Sequence, residues 1–328
     1  MSQVNAPRPE QLLTVGVDVG GTSIRAGVVD SRGAIIDTAE APTPASEEAL
    51  EAALHRAVTE LRGRHEIAAV GLAVAGFVTP DTSTVLFAPH LPWRCAPVAQ
   101  RMAESLALPV VLEHDANAAA WAEHRFGAAS SGRVVLLVAI GTGIGAALLI
   151  DGQLFRGAHG VAPELGHLRV VPGGRACPCG KHGCWERYCS GTGLAATALE
   201  MLAADPARSP ILAREVSAEP GSLTGRRVMS AARDGDRLAM AALNELAGWL
   251  GEGLAVAGDV FDPDLIVVGG GVGVSAALFL DSAREHYTTR LTGAGHRPLA
   301  RIRAAQLGET AGLVGAAELA RAAELAKR

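Results

Sequence analysis

The sequence predicts an α/β fold of layered sheets and covering helices, and three observations predict it. Short apolar runs of strand length alternate with longer stretches of helical periodicity. Many of the 39 glycines cluster in loops directly after the apolar runs, where backbone can approach a ligand closely. One pattern occurs twice, about 120 residues apart: an apolar strand, a Gly/Thr tip, a second apolar strand and a polar-Gly turn. A duplicated architecture follows. Each copy is expected to start a domain, with the two tips facing each other across a cleft.

Residues 1–13 read as a loose leader. Leu13–Val19 and 24–29 read as strands flanking Gly20-Gly21-Thr22, an antiparallel hairpin followed by a turn at Arg32-Gly33. Ser46 is placed to cap a helix over Glu47–Arg62. A strand over 68–74 ends at Ala75-Gly76, Val98–Leu106 reads as a helix, and a strand over 109–112 runs into Glu113-His114-Asp115. A helix over 116–126 is closed by Gly127. The pattern then restarts with Val134–Ile140, the tip Gly141-Thr142-Gly143-Ile144-Gly145, a strand over 146–150 and the turn Asp151-Gly152. Residues 159–189 are irregular and rich in Gly, Pro and Cys. A long apolar-periodic helix over 237–260 ends at Asp262-Pro263, and it reads as core more than as an assembly surface. A buried-type strand over 265–268 enters Gly269-Gly270-Gly271, and helices follow over 276–291 and 310–327.

Composition narrows the function classes. With 49% hydrophobic and 19% charged residues, the 328-residue chain can bury a real core and is not disordered. Aromatics are only 4%, so that core rests on Val, Leu, Ile and Ala. A net charge of −5 shows no basic footprint for nucleic acid. The longest apolar stretches break well short of a membrane span. Residues 1–11 are polar with no apolar segment of a secretory signal, so the expected location is cytoplasmic, with the five cysteines reduced unless they bind metal.

Candidate chemistry lies in four places. Asp18-Val19-Gly20-Gly21-Thr22 is a tip where backbone N–H groups and a hydroxyl can meet phosphate oxygens. Asp18 beside that anion calls for an intervening cation, and Mg²⁺ fits. Gly141-Thr142-Gly143 offers a second cradle, and Gly269-Gly270-Gly271 a close-approach surface for a nucleoside. Any one of these is equally readable as a tight turn; together they point to a nucleotide site. No Gly-x-x-x-x-Gly-Lys motif occurs, which excludes a P-loop. His167, Cys177, Cys179 and Cys184 have the ligand types and spacing of a structural Zn²⁺ site, leaving Cys95 and Cys189 as buried or inert thiols. Glu164 and Glu186 flank that knuckle, where two fixed carboxylates suit the vicinal hydroxyls of a sugar or, equally, are solvated charges. Asp115 is either a helix cap or a catalytic carboxylate at a strand's end.

These residues resemble the glucokinases of the ROK family (repressors, open reading frames and sugar kinases). The resemblance rests on Asp18-Val-Gly-Gly-Thr-Ser-Ile-Arg25, Asp115-Ala-Asn117-Ala-Ala, Glu164-Leu-Gly-His167 and Cys177-Pro-Cys179-Gly180-Lys-His-Gly183-Cys184-Trp-Glu186, with the Gly141 and Gly269 loops completing it. It implies two actin-like (ribonuclease H-like) α/β domains with an active-site cleft between them. The division expected is 1–115 completed by the helix 310–328, and 116–309 containing the zinc knuckle. It implies phosphoryl transfer from ATP to the 6-hydroxyl of glucose, with Asp115 as general base. Gly76, His90, His114, Glu164, His167 and Glu186 would contact sugar. Asp18, Gly20, Gly21, Thr22, Gly141, Thr142, Gly143, Gly269, Gly270 and Gly271 would hold nucleotide with Mg²⁺. A homodimer or homotetramer is implied as well.

The chain departs from the family pattern at His90 and His114, where many relatives carry Asn against the sugar. Histidine can donate or accept, but it titrates near pH ~6.5, so the choice among hexoses such as glucose, N-acetylmannosamine, mannose, fructose and allose stays open. A DNA-binding repressor would need a further domain ahead of the first strand, and residues 1–13 are expected to be too few. Use of polyphosphate would favour a basic groove, and no such run is present. An intact Asp115 with both phosphate tips argues against a sugar sensor without turnover.

Overall fold

The computed structural model describes residues 12–327. The leader expected over residues 1–13 lies, apart from Leu12 and Leu13, outside the described residues, and Leu12 is buried. The first half of the chain runs β1 (Leu13–Val19), β2 (Ser23–Val29), β3 (Ile35–Pro42), α1 (Glu47–Arg62), β4 (Ile67–Val74), β5 (Phe77–Val78), β6 (Val85–Phe87) and β7 (Arg94–Ala96). It continues with α2 (Val98–Leu106), β8 (Val110–His114), α3 (Asp115–Phe126), β9 (Val134–Ile140), β10 (Ile144–Ile150) and β11 (Gln153–Phe155). The second half is mainly helical: α4 (Gly191–Ala204), α5 (Pro210–Ala218), α6 (Gly225–Arg233) and α7 (Arg237–Phe261). Then come β12 (Leu265–Gly269), the short turn α8 (Gly270–Gly273), α9 (Leu280–Arg290), β13 (Arg301–Ala304) and α10 (Ala311–Leu325).

Two five-stranded sheets share one topology. The first is ordered β3-β2-β1-β4-β8, with β2 antiparallel to β1 and β3 while β1, β4 and β8 run parallel. The second is ordered β11-β10-β9-β12-β13, with β11 antiparallel to β10 and β9, β12 and β13 parallel. Hairpin strands followed by parallel strands in the same order twice is the duplication expected from the repeated pattern, and it is the actin-like, ribonuclease H-like sheet. A three-stranded sheet, β5-β6-β7, is added after β4.

Of the described residues, those up to Ser131, with Ala147–Pro163 and those from Glu309 on, form one compact unit. Gly132–Ala146 and Glu164–Gly308 form the other, the boundary falling inside β10. This differs from the expected division at 115/116, because α3 packs against α10 and stays with the first unit. Arg125 of α3 reaches Glu318 of α10 at 3.2 Å, and a side chain on Gly315 would collide with the Ala118 carbonyl. Only small residues allow two helices to lie that close.

In the first unit, α1 shows how local sequence sets an element. The Ser46 side chain accepts the Ala49 N–H at 3.3 Å, Glu47 and Glu48 oppose the helix dipole, and Leu50, Leu54, Val58 and Leu61 form the buried stripe. That stripe packs with Val15, Val17, Leu72 and Met102 in an almost wholly aliphatic core. On the sheet's other face lies α10. Gly27, Gly16 and Gly71 are register partners across β2, β1 and β4, and together they make a floor without side chains. A Cβ at Gly16 would fall inside van der Waals contact of the Leu313 carbonyl, and one at Gly71 would do the same at Ala316. The helix backbone therefore rests directly on the sheet.

The second unit's core is carried by α7, with Leu243, Leu246, Leu250 and Leu254 buried against Trp185, Val138 and Ile266. The core reading of the 237–260 helix holds on these residues. Two boundaries differ from expectation in a way that matters below. Strand β8 continues through Glu113 and His114, which pair with Ala73 and Val74, so Asp115 opens α3 directly. Strand β10 starts at Ile144, which shortens the second tip to Gly141-Thr142-Gly143.

Gly71→Ala should be among the most damaging single-methyl additions in the first unit. Forcing a methyl between β4 and α10 should destabilise the protein by about 1–3 kcal/mol or more, read as a lower midpoint in urea denaturation with an unchanged slope.

Candidate functional site

In the first unit the β1–β2 tip presents Gly20, Gly21 and Thr22, the last two exposed. Thr43 braces it, donating its hydroxyl to the Gly20 carbonyl at 2.6 Å while its N–H meets the Thr22 carbonyl at 3.1 Å. Asp18 and Arg25 face each other across the hairpin and form an ion pair at 2.5 Å. Burial pushes the Asp18 carboxyl above its ordinary range; the Arg25 hydrogen bond and charge oppose this, and the negative charge of Asp115 adds to it. A carboxylate in that position gains from a cation, as the sequence reading requires.

Asp115 stands at the end of β8, the position at which open α/β sheets put functional groups. The helix cap is His114, and it makes no side-chain cap bond. Asp115 Oδ1 instead accepts the N–H of its own neighbour Ala116 at 2.7 Å and lies 3.1 Å from His114 Nε2. Its side chain is 41% exposed, and Oδ2 has no partner among the described residues. Asp115 thus occupies the first helical position and not the cap; its Oδ1 meets only the adjacent first-turn N–H, and one oxygen is open to a ligand. His114, expected as a sugar contact, has one ring nitrogen turned to Asp115.

Below this pair sits Glu113, whose side chain is 3% exposed. Its Oε2 takes a forked contact from Arg156, at 2.9 Å from Nε and 2.5 Å from Nη2. Its Oε1 accepts the Asn117 amide at 2.9 Å and the His114 N–H at 3.0 Å. Four donors on one buried carboxylate fix the strand-to-helix junction that carries Asp115. Gly76 is buried against Phe87 and Ala88, and His90 is exposed with its Cβ against the Gly21 position.

In the second unit the β9–β10 tip is braced by the start of α4. The Gly191 N–H meets the Gly141 carbonyl at 2.8 Å, and Thr192 Oγ1 donates to the Thr142 carbonyl at 2.9 Å. Gly270 of the third glycine loop has φ +80, and a side chain there would strike the Ile140 backbone, so close packing on β9 already demands glycine. Gly269 is buried and Gly271 exposed.

The irregular segment converges as the spacing predicts. One ligand atom each from His167, Cys177, Cys179 and Cys184 all lie within 4.8 Å of one another. Cys179 Sγ and Cys184 Sγ are 3.6 Å apart, and Cys177 Sγ is 3.7 Å from His167 Nδ1. Tetrahedral zinc with Zn–S bonds of ~2.3 Å needs sulfurs about 3.8 Å apart, so the donor set fits the ion in type and spacing. His167 Nδ1 faces the cysteines, while Nε2 lies 3.8 Å from Glu164 Oε2. Glu186 Oε1 is 3.2 Å from Cys177 Sγ and 3.6 Å from His167 Nδ1. Glu164, His167 and Glu186 are thus gathered around one imidazole. Cys189 is buried, which pushes its thiol up, whereas Cys95 is exposed.

Sequence reasoning missed three supports: Arg25, the Glu113–Arg156 pair, and the Thr43 and Thr192 braces. Arg25 was recoverable, because a hairpin tipped at Gly20–Thr22 sets it opposite Asp18. Arg156 lies 43 residues from Glu113, just beyond a three-residue strand, and no local pattern announces it.

Residues 14–323 match the ROK family, and the chain belongs to it. It is 46% identical over 309 residues to a glucokinase of Streptomyces coelicolor, covering 94% of this chain and 98% of that protein. A Streptomyces griseus ROK family glucokinase, solved in complex with glucose and AMPPNP, is 45% identical with a TM-score of 0.85, covering 94% and 99% of the two chains. An N-acetylmannosamine kinase of Escherichia coli is 32% identical, over 96% of this chain and 100% of that protein.

Replacing Arg156 by Gln leaves the Glu113 charge buried with half its donors. We expect a loss of about 3 kcal/mol in denaturant unfolding, partly restored when Glu113→Gln is added.

Proposed function

We infer that this ROK family member is an ATP-dependent glucokinase, transferring the γ-phosphate of ATP to the 6-hydroxyl of glucose to give glucose 6-phosphate and ADP. The observation that carries the chemistry is the half-exposed Asp115 carboxylate, held rigidly at the end of β8 with one oxygen unengaged. Similarity to curated glucokinases over 94% of the chain supports the choice of sugar.

Asp115 acts as general base. It accepts the proton of the sugar hydroxyl as the hydroxyl oxygen attacks the γ-phosphorus in line, while the bond to the leaving ADP oxygen breaks. The Glu113 cluster holds the carboxylate's backbone, and the His114 contact fixes one of its oxygens. Glu164, His167 and Glu186 hold sugar hydroxyls, with Gly76, His90 and His114 as further contacts. The tips Gly20-Gly21-Thr22 and Gly141-Thr142-Gly143 hold phosphates, with Gly269-Gly270-Gly271 near the nucleoside.

Two ions belong to this reading. Mg²⁺ would accompany the nucleotide near Asp18, screening phosphate charge. Zn²⁺ would be held by His167, Cys177, Cys179 and Cys184, all four positions being protein ligands, which makes it structural. Its work is to fix the His167 ring so that Nε2 is presented to the sugar. A cytoplasmic location is proposed from the resemblance; no helix among the described residues is long and apolar enough to cross a membrane. Assembly as a homodimer or homotetramer is proposed from the resemblance alone.

The test of the reaction is ADP release with MgATP across a panel of hexoses. Glucose should give the highest kcat/KM, and activity centred on N-acetylmannosamine or mannose would move the specificity argument onto His90 and His114. Asp115→Asn should lower kcat by a factor of about 10² to 10⁴ while glucose and ATP still bind; unchanged turnover removes Asp115 from the mechanism. Metal analysis should find one zinc per chain, lost in Cys184→Ser together with most of the affinity for glucose.

A further inference from the structure

The two glycines of the second tip face different surroundings. A Cβ built at Gly141 meets no protein atom within 4 Å. One built at Gly143 falls inside van der Waals contact of Glu186 Oε2, with the carboxyl carbon at 3.5 Å and no other atom close. The backbone at Gly143 is not in the left-handed region, so its conformation does not require glycine. What a methyl group there would meet is the Glu186 carboxylate.

We propose that Gly143 is a positioning residue for the sugar: its missing side chain is the seat of Glu186, so a residue of the phosphate tip sets sugar affinity. This rests on the reading of Glu186 as a sugar contact. Glu186 is confined from two sides, by Gly143 against Oε2 and by Cys177 and His167 against Oε1, at 3.2 and 3.6 Å. The tip cannot yield. Gly141 N–H bonds the Gly143 carbonyl at 2.9 Å, and Gly191 and Thr192 anchor the Gly141 and Thr142 carbonyls from α4. A methyl group at position 143 therefore displaces the free end of the glutamate. The first unit repeats the relation: a Cβ at Gly21 would stand 2.9 Å from the Cβ of His90, another expected sugar contact. In each half a tip glycine abuts a side chain assigned to the sugar.

The decisive experiment compares Gly143→Ala with wild type and with Gly141→Ala, measuring KM for glucose and for ATP separately. Gly143→Ala should raise KM for glucose about tenfold or more, a displaced binding group being that costly, and by a larger factor than it raises KM for ATP. Gly141→Ala, on the same tip but clear of Glu186, should raise KM for glucose less than Gly143→Ala does, and an equal rise in both overturns the proposal. A rise in KM for ATP equal to or larger than that for glucose, or an unmoved KM for glucose, in Gly143→Ala would overturn the proposal. A thermal cycle covers the case of a poorly folding variant. Any fall in Tm caused by Gly143→Ala should vanish in a Glu186→Ala background, and an equal fall in both backgrounds overturns the proposal. If wild type releases no ADP with glucose, the glucokinase reading fails, while the thermal cycle still decides whether Gly143 seats Glu186.

Discussion

The constraint on which the first unit depends is the direct seating of α10 on a floor of glycines. Gly27, Gly16 and Gly71 lie side by side across three strands, and the helix laid on them comes from the far end of the chain. The approach is close enough that Thr14 Oγ1 donates to the Ala317 carbonyl at 2.9 Å. The buried Arg321 ties the same helix to the strands, donating to the carbonyls of Leu12 and Val29 and to Thr14 Oγ1. Helix α3 then packs on α10 through alanine and glycine. The element that begins with Asp115 is thus positioned by contacts with residues about 200 positions later in sequence. The candidate base belongs to a unit that is not complete until the last helix has docked.

Burying charge at the β8–α3 junction performs the finer adjustment. An isolated buried carboxylate would be costly, and Glu113 is tolerated because Arg156, Asn117 and the His114 N–H supply its bonds. The arrangement stiffens the one turn at which a small rotation would swing the Asp115 carboxylate away from a hydroxyl. Asp18 is a different case. It has one strong partner in Arg25 and a like charge nearby, and its carboxyl is pushed up by burial. Its neighbourhood is incomplete in the sense that a bound cation would complete it, whereas the neighbourhood of Glu113 is already full.

How much of this could be read beforehand follows from the kind of interaction involved. Strands β1, β2, β4, β9 and β12 are nearly continuous apolar runs, because they are buried on both faces, and helix α1 carries its own cap; these were legible. Strand β3, Ile-Ile-Asp-Thr-Ala-Glu-Ala-Pro on an edge, shows no clean alternation, and β13 is Arg-Ile-Arg-Ala, so neither stands out from loop. The sequence reading separates no elements between 189 and 237, where α4, α5 and α6 lie. The zinc ligands were legible because four ligands of the right type recur within 18 residues. Asp115 was legible as a candidate but not as a choice, since a cap and a base look alike until the cap bond is found missing. Arg156 and the threonine braces depend on pairings across more than 20 residues, which no local pattern encodes.

The segment 159–189 shows what a metal held by its four candidate ligands would contribute. Among its described residues there are two short 3₁₀ turns, at Leu165–His167 and Trp185–Arg187, and isolated bridges, but no long helix or strand. A stretch rich in Gly and Pro cannot organise itself by secondary structure, and it offers little apolar area apart from Trp185, Tyr188 and Leu165. In the proposed reading it holds three polar side chains, those of Glu164, His167 and Glu186, toward the sugar. Cross-linking four of its residues through one ion would supply the rigidity that hydrophobic packing cannot. In the proposed reading the glycine tip beside it serves two ligands. Its outer glycine is open and its inner one lies against Glu186, so a side chain added there would displace the glutamate while the tip carbonyls stay anchored by α4. On that reading sugar affinity depends on a residue of the phosphate tip within a single unit, through one carboxylate and the absence of one methyl group.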